Sequence, residues 1–261
     1  MIIDISILLI RIYMLNPRPG RGQQYYLGIY YATPRCEEYD LKKAFIWFSK
    51  SAEQGFVSAQ CNVGVCYANG IGVDQDYSKA ISAYKHVVDR FPGSDEARLA
   101  MRDLRSIYVE QGDVNSFLRY SESVQGVAPI EMGERDSLSY ASAELMYSRA
   151  DYKNALNLFR QYLEEFPQGA YAVNAWYYQA VIYQNDNDYE NALDCYEKCA
   201  SYENSRFCEE SLSQAASMAF TIGDYKSALN NYKRLADRTV DINKRRSSYI
   251  GVVKSAMQVA D

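Results

Sequence analysis

Apolar and small residues recur at steps of three and four along most of this chain, which predicts amphipathic α-helices rather than strands. The pattern is clearest around residues 176–196, where the polar stretch 184–188 supplies a tight turn between two predicted helices. One face of each helix carries large and small apolar residues: Trp176, Ala180, Tyr183, Tyr189, Ala192, Leu193 and Tyr196. Such a hairpin cannot bury this surface alone, so we expect similar hairpins to stack beside it.

The sequence contains those further hairpins as a repeat. The turn signature Asp-Tyr-x-x-Ala begins at Asp76, Asp151, Asp188 and Asp224, and successive copies, including degenerate ones, lie 36 to 38 residues apart. The degenerate copies begin at Asp40 and Asp113. A period this constant, built from helical hairpins, predicts an all-α solenoid.

Each position of the signature has a structural role. The Asp is expected to cap the second helix of its hairpin, helped by a turn glycine at Gly112 and Gly223. The Ala lets the helices approach closely, and the aromatic residue one turn later is expected to pack against the next hairpin. The alanines are Ala44, Ala80, Ala155, Ala192 and Ala228, and the aromatic residues are Phe48, Tyr84, Phe159, Tyr196 and Tyr232.

Residues 23–91 form two hairpins with longer loops. Leu27-Gly28-x-x-Tyr31 matches Val63-Gly64-x-x-Tyr67, and the second copy continues into Gly70-x-Gly72-Val73-x-x-Asp76. Together with Ala44-x-x-Trp47-Phe48 and Ala52-Glu-Gln-Gly55, this pattern resembles the Sel1-like repeat. The first copy departs from it, because Pro34-Arg-Cys36 replaces the Gly-x-Gly turn.

The later residues resemble the tetratricopeptide repeat. A degenerate copy covers residues 92–123, and three copies cover residues 137–241. Phe91-Pro92 and Phe166-Pro167 end two second helices in a way that is similar to bacterial cell-envelope repeat proteins. An irregular insert is predicted at 124–136, and residues 242–261 supply only a first helix, which is either a terminal cap or a truncated repeat. The combined resemblance implies a right-handed α-solenoid of helix-turn-helix units.

Composition is that of an ordinary soluble protein. The 261 residues are 48% hydrophobic with a formal charge of −5, and this acidity argues against nucleic-acid binding. Residues 1–22 read as an apolar segment and linker, and Met1–Leu15 is too short and too often charged to span a membrane. The absence of an export signal and the six cysteines favour the cytoplasm, whereas the envelope-type repeats favour the periplasm.

No catalytic or cofactor motif is present. The single histidine, His86, lies on a predicted second helix without an evident nucleophile, and Asp186–Glu190 lacks the Gly and distal Glu of a calcium loop. A zinc site from Cys195, Cys199 and Cys208 is conceivable, but buried thiols are the better interpretation. A hydrolase would have only Glu131, Glu134 and Asp136 of the insert. We therefore predict a non-enzyme without metal or cofactor.

Recognition of another protein is the remaining function. In the resembled repeats the first helices line a concave face, which would bind an extended peptide or a partner helix. The expected contact residues on this face are Tyr140, Glu144, Tyr147, Tyr177, Val181, Gln184, Ser217 and Phe220. The alternative is a self-assembling structural protein of an envelope complex, with the terminal helix pairing between copies. The basic run Lys244–Arg246 is either a solvated helix start or a dock for an acidic peptide.

Overall fold

A computed structural model describes residues 18–260, and in this range it contains thirteen α-helices and no strand. This confirms the all-α, helix-turn-helix repeat architecture. The predicted apolar segment Met1–Leu15 lies outside the described residues. Within residues 18–260, every helix is too short or too polar to cross a membrane.

The chain divides after Ile130 into two compact units. The helices of the first unit are α1 Arg21–Ala32, α2 Leu41–Glu53, α3 Val57–Asn69, α4 Tyr77–Arg90, α5 Asp95–Gln111 and α6 Val114–Ser123. The helices of the second unit are α7 Met132–Ser148, α8 Tyr152–Glu165, α9 Ala172–Asn185, α10 Tyr189–Ala200, α11 Cys208–Thr221, α12 Tyr225–Arg238 and α13 Ile242–Ala260. Inside each unit every helix packs on the next one along the chain.

The predicted Asp caps are present at all six second helices. Each Asp side chain accepts a hydrogen bond from the backbone N–H three residues later, at 3.0 Å for Asp40 and Asp76 and up to 3.4 Å for Asp151. The other three caps are Asp113, Asp188 and Asp224. Each bond satisfies a helix N–H that has no partner within the helix, so the position of every second helix is encoded locally.

The residue before the capping Asp is left-handed in the four shorter turns. Gly112 and Gly223 have φ of 73° and 84°, and Ala150 and Asn187 have φ of 59° and 60° at the equivalent positions. Only the glycines take this conformation without a side-chain clash. Ala150 is therefore held in an unfavourable backbone conformation by the turn around it.

The two longer loops of the first unit close in the same way despite their different sequences. The Asp40 N–H donates to the Tyr31 carbonyl at 2.9 Å, and the Asp76 N–H donates to the Tyr67 carbonyl at 2.8 Å. Gly72 has φ of 70°, and a Cβ there would collide with the Leu41 backbone. In the first copy Asp40 therefore caps its helix although the loop lacks the Gly-x-Gly turn.

Close helix packing follows the predicted positions. All five signature alanines are 0% exposed, so no larger side chain fits there. Among the aromatic residues one turn later, Phe159 stacks on Tyr178 of the next hairpin and Tyr232 packs against Gly251. One hydrophobic cluster contains Ala180 and Tyr183 together with the other apolar residues predicted for the hairpin 176–196. The apolar seam of the second unit is thus built from residues one period apart.

Two predicted boundaries are wrong by a few residues. Helix α1 begins at Arg21, inside the predicted linker, because Gly20 precedes it and donates its N–H to the Gln23 side chain at 3.0 Å. Helix α7 begins at Met132, inside the predicted insert, so the irregular stretch ends at residue 131. Gly133 does not interrupt α7, since it lies in the first turn, where backbone N–H groups lack intrahelical partners anyway.

Candidate functional site

The first helices of the second unit lie side by side. Between α7 and α9, Asn174 donates its side-chain N–H to the Tyr140 hydroxyl at 3.3 Å, and the rings of Tyr147 and Tyr178 are 4.6 Å apart. Between α9 and α11, Gln184 donates to the Gln214 side-chain oxygen at 3.3 Å. We call the outward surface of these three helices the first-helix face. It comprises Glu144, Tyr147, Tyr177, Val181, Gln184, Glu210, Gln214, Ser217 and Phe220.

Tyr140 does not belong to this exposed surface, contrary to the sequence-based expectation. It is only 4% exposed and stacks on Tyr171 with ring centroids 4.5 Å apart. Its hydroxyl donates to Glu144 at 3.0 Å. Tyr140 is therefore a core residue that positions the Glu144 carboxylate, which is exposed.

The two other predicted tyrosines are half-buried, with part of each ring at the surface. Tyr147 packs edge-on against Tyr152 and tilts against Tyr178. Tyr177 stacks on Phe207 at 4.3 Å and meets Tyr196 edge-on. Fixed rings of this kind offer apolar contact area at a low cost in side-chain entropy.

A chain of hydrogen bonds fixes the polar part of the face. The Tyr196 hydroxyl donates to the Gln184 side-chain oxygen at 2.7 Å. The Gln184 amide nitrogen in turn donates to Gln214, whose nitrogen donates to Glu210 at 2.7 Å. Gln214 and Glu210 were not predicted from sequence, although they lie one and two turns before Ser217 on the same side of α11. This chain of hydrogen bonds orients the Glu210 carboxylate.

The first-helix face is acidic. Its residues include the carboxylates of Glu144 and Glu210 and no Lys or Arg. Helices α9 and α11 contain no basic residue, and the one basic residue of α7, Arg135, lies 3.7 Å from Glu165 of α8. Burial, followed by the nearby Glu210, raises the pKa of Tyr177. Burial and neighbouring tyrosines likewise raise the pKa of Tyr147. Both phenols are therefore neutral at physiological pH, and the carboxylates set the sign of the potential.

The far end of the face is less enclosed. Ser217 is exposed, and Phe220 is half-buried with its ring edge-on to Tyr225 at 5.3 Å. Val181 lies between Tyr177 and Gln184 and is half-buried. The face therefore combines aromatic and aliphatic contact area with amide and carboxylate groups, which suits recognition of a polypeptide.

The residues weighed for chemistry lie elsewhere. His86 lies on α4 of the first unit, at a shallow cleft of about 590 Å³. Asp136 is buried and accepts hydrogen bonds from the Tyr162 hydroxyl and the Ala170 N–H, so it has a structural role. Among residues 18–260, no three His, Cys, Asp or Glu side chains are grouped as metal ligands.

The three cysteines of α10 and α11 are buried thiols. The Cys199 sulfur lies 3.7 Å from the Val173 carbonyl, and the Cys208 sulfur lies 3.4 Å from the Ala200 carbonyl. Burial raises the pKa of Cys195 to about 12. Burial also raises the pKa of Cys199, so both of these thiols are protonated at neutral pH. All three cysteines pack as small apolar groups.

Stacked helical hairpins at this spacing define an α-solenoid repeat protein, and comparison with protein families identifies the repeats. The Sel1 repeat model matches residues 24–56 and 57–82. Tetratricopeptide repeat models match residues 136–169 and 173–205. The chain therefore carries Sel1 repeats followed by tetratricopeptide repeats, as their resemblance predicted.

Curated proteins match this chain over limited lengths. A TPR repeat-containing protein of Methanocaldococcus jannaschii is 31% identical over 101 residues, covering 38% of this chain and 31% of that protein. The DAP3-binding cell death enhancer 1 of Mus musculus is 43% identical over 49 residues, covering 19% of this chain and 10% of that protein. The chain thus spans about a third or less of the curated relatives it matches.

Solved structures share the fold. The structure of Naa15/Naa10 bound to HypK-THB matches with a TM-score of 0.50 and 17% identity, covering 96% of this chain and 36% of that one. At this identity the likeness shows the fold alone. Sel1 and tetratricopeptide repeats are scaffolds that typically mediate protein–protein interaction, and they are generally non-catalytic.

Proposed function

We propose that the chain is a non-catalytic scaffold whose first-helix face binds an extended peptide or partner helix. The observation that carries this proposal is the composition of the face. Aromatic anchors at Tyr147 and Tyr177 lie beside carboxylates at Glu144 and Glu210, and α9 and α11 contribute no basic residue. The partner segment should therefore carry apolar side chains interspersed with Lys or Arg.

The oriented amides support an extended peptide. Gln184 and Gln214 are held by the hydrogen-bond chain that begins at the Tyr196 hydroxyl. Amide side chains fixed in this way can donate to and accept from a peptide main chain, which offers alternating N–H and C=O groups. Because they are oriented before binding, little side-chain entropy is lost when the partner arrives.

The contribution of the carboxylates to binding is tested with short synthetic peptides that alternate Arg with Leu and Tyr. The double variant Glu144→Gln, Glu210→Gln retains oxygen acceptors for Tyr140 and Gln214 but removes both charges. Each lost ion pair at such a site is worth roughly 0.5–1 kcal/mol, so affinity should fall about tenfold. The variant's affinity should also depend less on salt.

Glu190→Gln provides the matched control, since Glu190 is exposed on the second helix α10. This control should bind like the wild type. The aromatic part is tested by Tyr147→Ala and Tyr177→Ala, which should weaken binding while far-UV circular dichroism remains unchanged. Unaltered affinity in the double glutamate variant and in both tyrosine variants would remove the first-helix face from the proposed function.

A further inference from the structure

A small pocket lies between the second helices α8 and α10, with α9 as its floor. Its volume is about 350 Å³, and Trp176, Gln179 and Tyr183 of α9 line it. Small-molecule sites have volumes of roughly 300–1,000 Å³, so this pocket suits a small ligand. Helical spacing places Gln179 on the opposite side of α9 from Tyr177 and Val181. The pocket is therefore separate from the first-helix face.

The floor of the pocket contains a buried amide that lacks a hydrogen-bond partner. Gln179 is only 2% exposed, and its side-chain nitrogen has no acceptor among residues 18–260. A buried polar group of this kind is destabilising unless it is hydrogen-bonded. Leu163 and Cys195, which also line the pocket, are buried and apolar. A ligand that brings an acceptor to Gln179 would satisfy the amide.

The rim of the pocket carries two opposite charges. Arg160 and Glu164 lie one turn apart on α8, and both are exposed at the pocket. The Arg160 guanidinium donates to the Tyr183 hydroxyl and lies 5.5 Å from the centre of the Tyr183 ring. Tyr183 therefore fixes the guanidinium. In the described part of the chain, neither Arg160 nor Glu164 has an ion-pair partner.

The other polar residues of the rim already have partners. Asp194 pairs with Lys198 at 2.7 Å, and the side-chain nitrogen of Asn191 donates to Asp188 at 2.7 Å. Three groups of the pocket thus remain for a ligand: one cation, one carboxylate and one amide donor.

These three groups decide between the candidate ligands. A neutral peptide segment offers no charge to Arg160 or Glu164, and one charged side chain of a partner protein would match only one of them. A zwitterion matches both, since side chains one turn apart on a helix are about 5–6 Å apart at Cβ. We propose that this pocket binds a free α-amino acid with an apolar side chain.

Each part of the ligand has a counterpart in the pocket. The carboxylate pairs with Arg160 and accepts from the Gln179 amide. The ammonium group pairs with Glu164. The apolar side chain packs against Trp176 and Leu163. The bound amino acid contacts α8, α9 and α10 together, so it should raise the unfolding temperature of the chain.

This site does not depend on the peptide partner proposed for the first-helix face. The two sites use opposite sides of α9 and different chemistry. The peptide experiments and the amino-acid experiments can therefore fail separately.

Binding is measured by tryptophan fluorescence of the full chain in a Trp47→Phe background, where Trp176 is the sole tryptophan. The probes are L-leucine and L-methionine, and we expect at least one of them to bind saturably. Its deaminated and decarboxylated analogues should each bind at least about tenfold more weakly, because each loses one charged contact.

Variants assign the two charges. Arg160→Gln should weaken binding of the amino acid by at least about tenfold and leave the decarboxylated analogue unaffected. Glu164→Gln should weaken the amino acid similarly and leave the deaminated analogue unaffected. Lys233→Gln and Glu190→Gln are the matched controls, because these exposed residues of α12 and α10 lie outside the pocket. Both controls should bind like the wild type.

Gln179→Met separates a ligand-binding amide from a structural one. It replaces the amide with an apolar chain of similar length and should weaken binding several-fold. It should not lower the urea midpoint of unfolding, because the amide nitrogen has no hydrogen bond to lose in the free protein.

Four results would overturn the proposal. The first is no saturable binding of either amino acid at millimolar concentrations. The second is equal affinity for the same amino acid acetylated at its nitrogen and amidated at its carboxyl group, since the pocket would then take a peptide segment. The third is unchanged affinity in Arg160→Gln or Glu164→Gln. The fourth is a Gln179→Met variant that binds as tightly as the wild type.

Discussion

The strongest prediction concerns the buried hydroxyl of Tyr162, which joins α7, α8 and the turn before α9. Tyr162 is 1% exposed, and its hydroxyl donates to the Asp136 carboxylate at 2.6 Å. The same oxygen accepts the Tyr171 N–H at 3.0 Å, while Asp136 also accepts the Ala170 N–H at 2.7 Å. Tyr162→Phe removes only this oxygen and leaves the ring in place.

The cost follows from the two hydrogen bonds that are lost. A hydrogen bond to a charged group contributes about 1.5–3 kcal/mol, and a buried N–H left without an acceptor costs about 1–3 kcal/mol. Tyr171 is only partly buried, so we use the lower end of the range for its N–H. We expect the free energy of unfolding to fall by about 3 kcal/mol.

Urea unfolding followed by circular dichroism measures this loss. Tyr232→Phe is the control, because the Tyr232 hydroxyl has no hydrogen-bond partner among the described residues, and its removal should cost less than about 0.5 kcal/mol. A loss below about 1 kcal/mol for Tyr162→Phe, or equal losses in the two variants, would refute the assigned role of the hydroxyl.

Three further predictions address the turns, the caps and the thiols. Ala150→Gly should raise the free energy of unfolding by about 0.5 kcal/mol, because relief of the left-handed strain exceeds the entropy cost of glycine; a lower urea midpoint would contradict this. Hydrogen bonds from Ser227 lower the pKa of Asp224, so its contribution to stability is present above about pH 4 and is lost as pH falls through the lowered pKa. Asp224→Asn, which still caps the helix, should flatten this acid dependence in pH-resolved unfolding. In a native thiol titration at neutral pH, Cys36 should react first, because it is the one cysteine of the described residues that is not buried.

The features that could be predicted from sequence are those encoded locally. An Asp cap acts on an N–H three residues away, so the start of each second helix follows from the Asp itself. The alanines were equally predictable, since close helix approach excludes larger side chains at those positions. The repeat period then supplied the order in which the hairpins stack.

Which residues are exposed on the first-helix face depends on contacts between helices, and these cannot be predicted from the sequence of one helix. Tyr140 occupies a surface position by helical spacing, yet Tyr171 from the turn before α9 stacks on it and buries it. Helical spacing from Ser217 places Glu210 and Gln214 on the same side of α11, but the pairing of Gln214 with Gln184 depends on the register between α9 and α11. Such pairings depend on the relative position of two hairpins, which the repeat period alone does not determine.

Site-specific photo-crosslinking would show which surface of the second unit contacts a bound peptide. A crosslinking residue at Ser217 would project from the first-helix face, and one at Asn230 would project from the second helix α12; both positions are exposed. With the Arg-containing peptide at a concentration below its wild-type Kd, the crosslink should form at Ser217 and should be several-fold weaker in Glu144→Gln, Glu210→Gln. Crosslinking at Asn230 with none at Ser217 would contradict the assignment of the first-helix face as the binding surface.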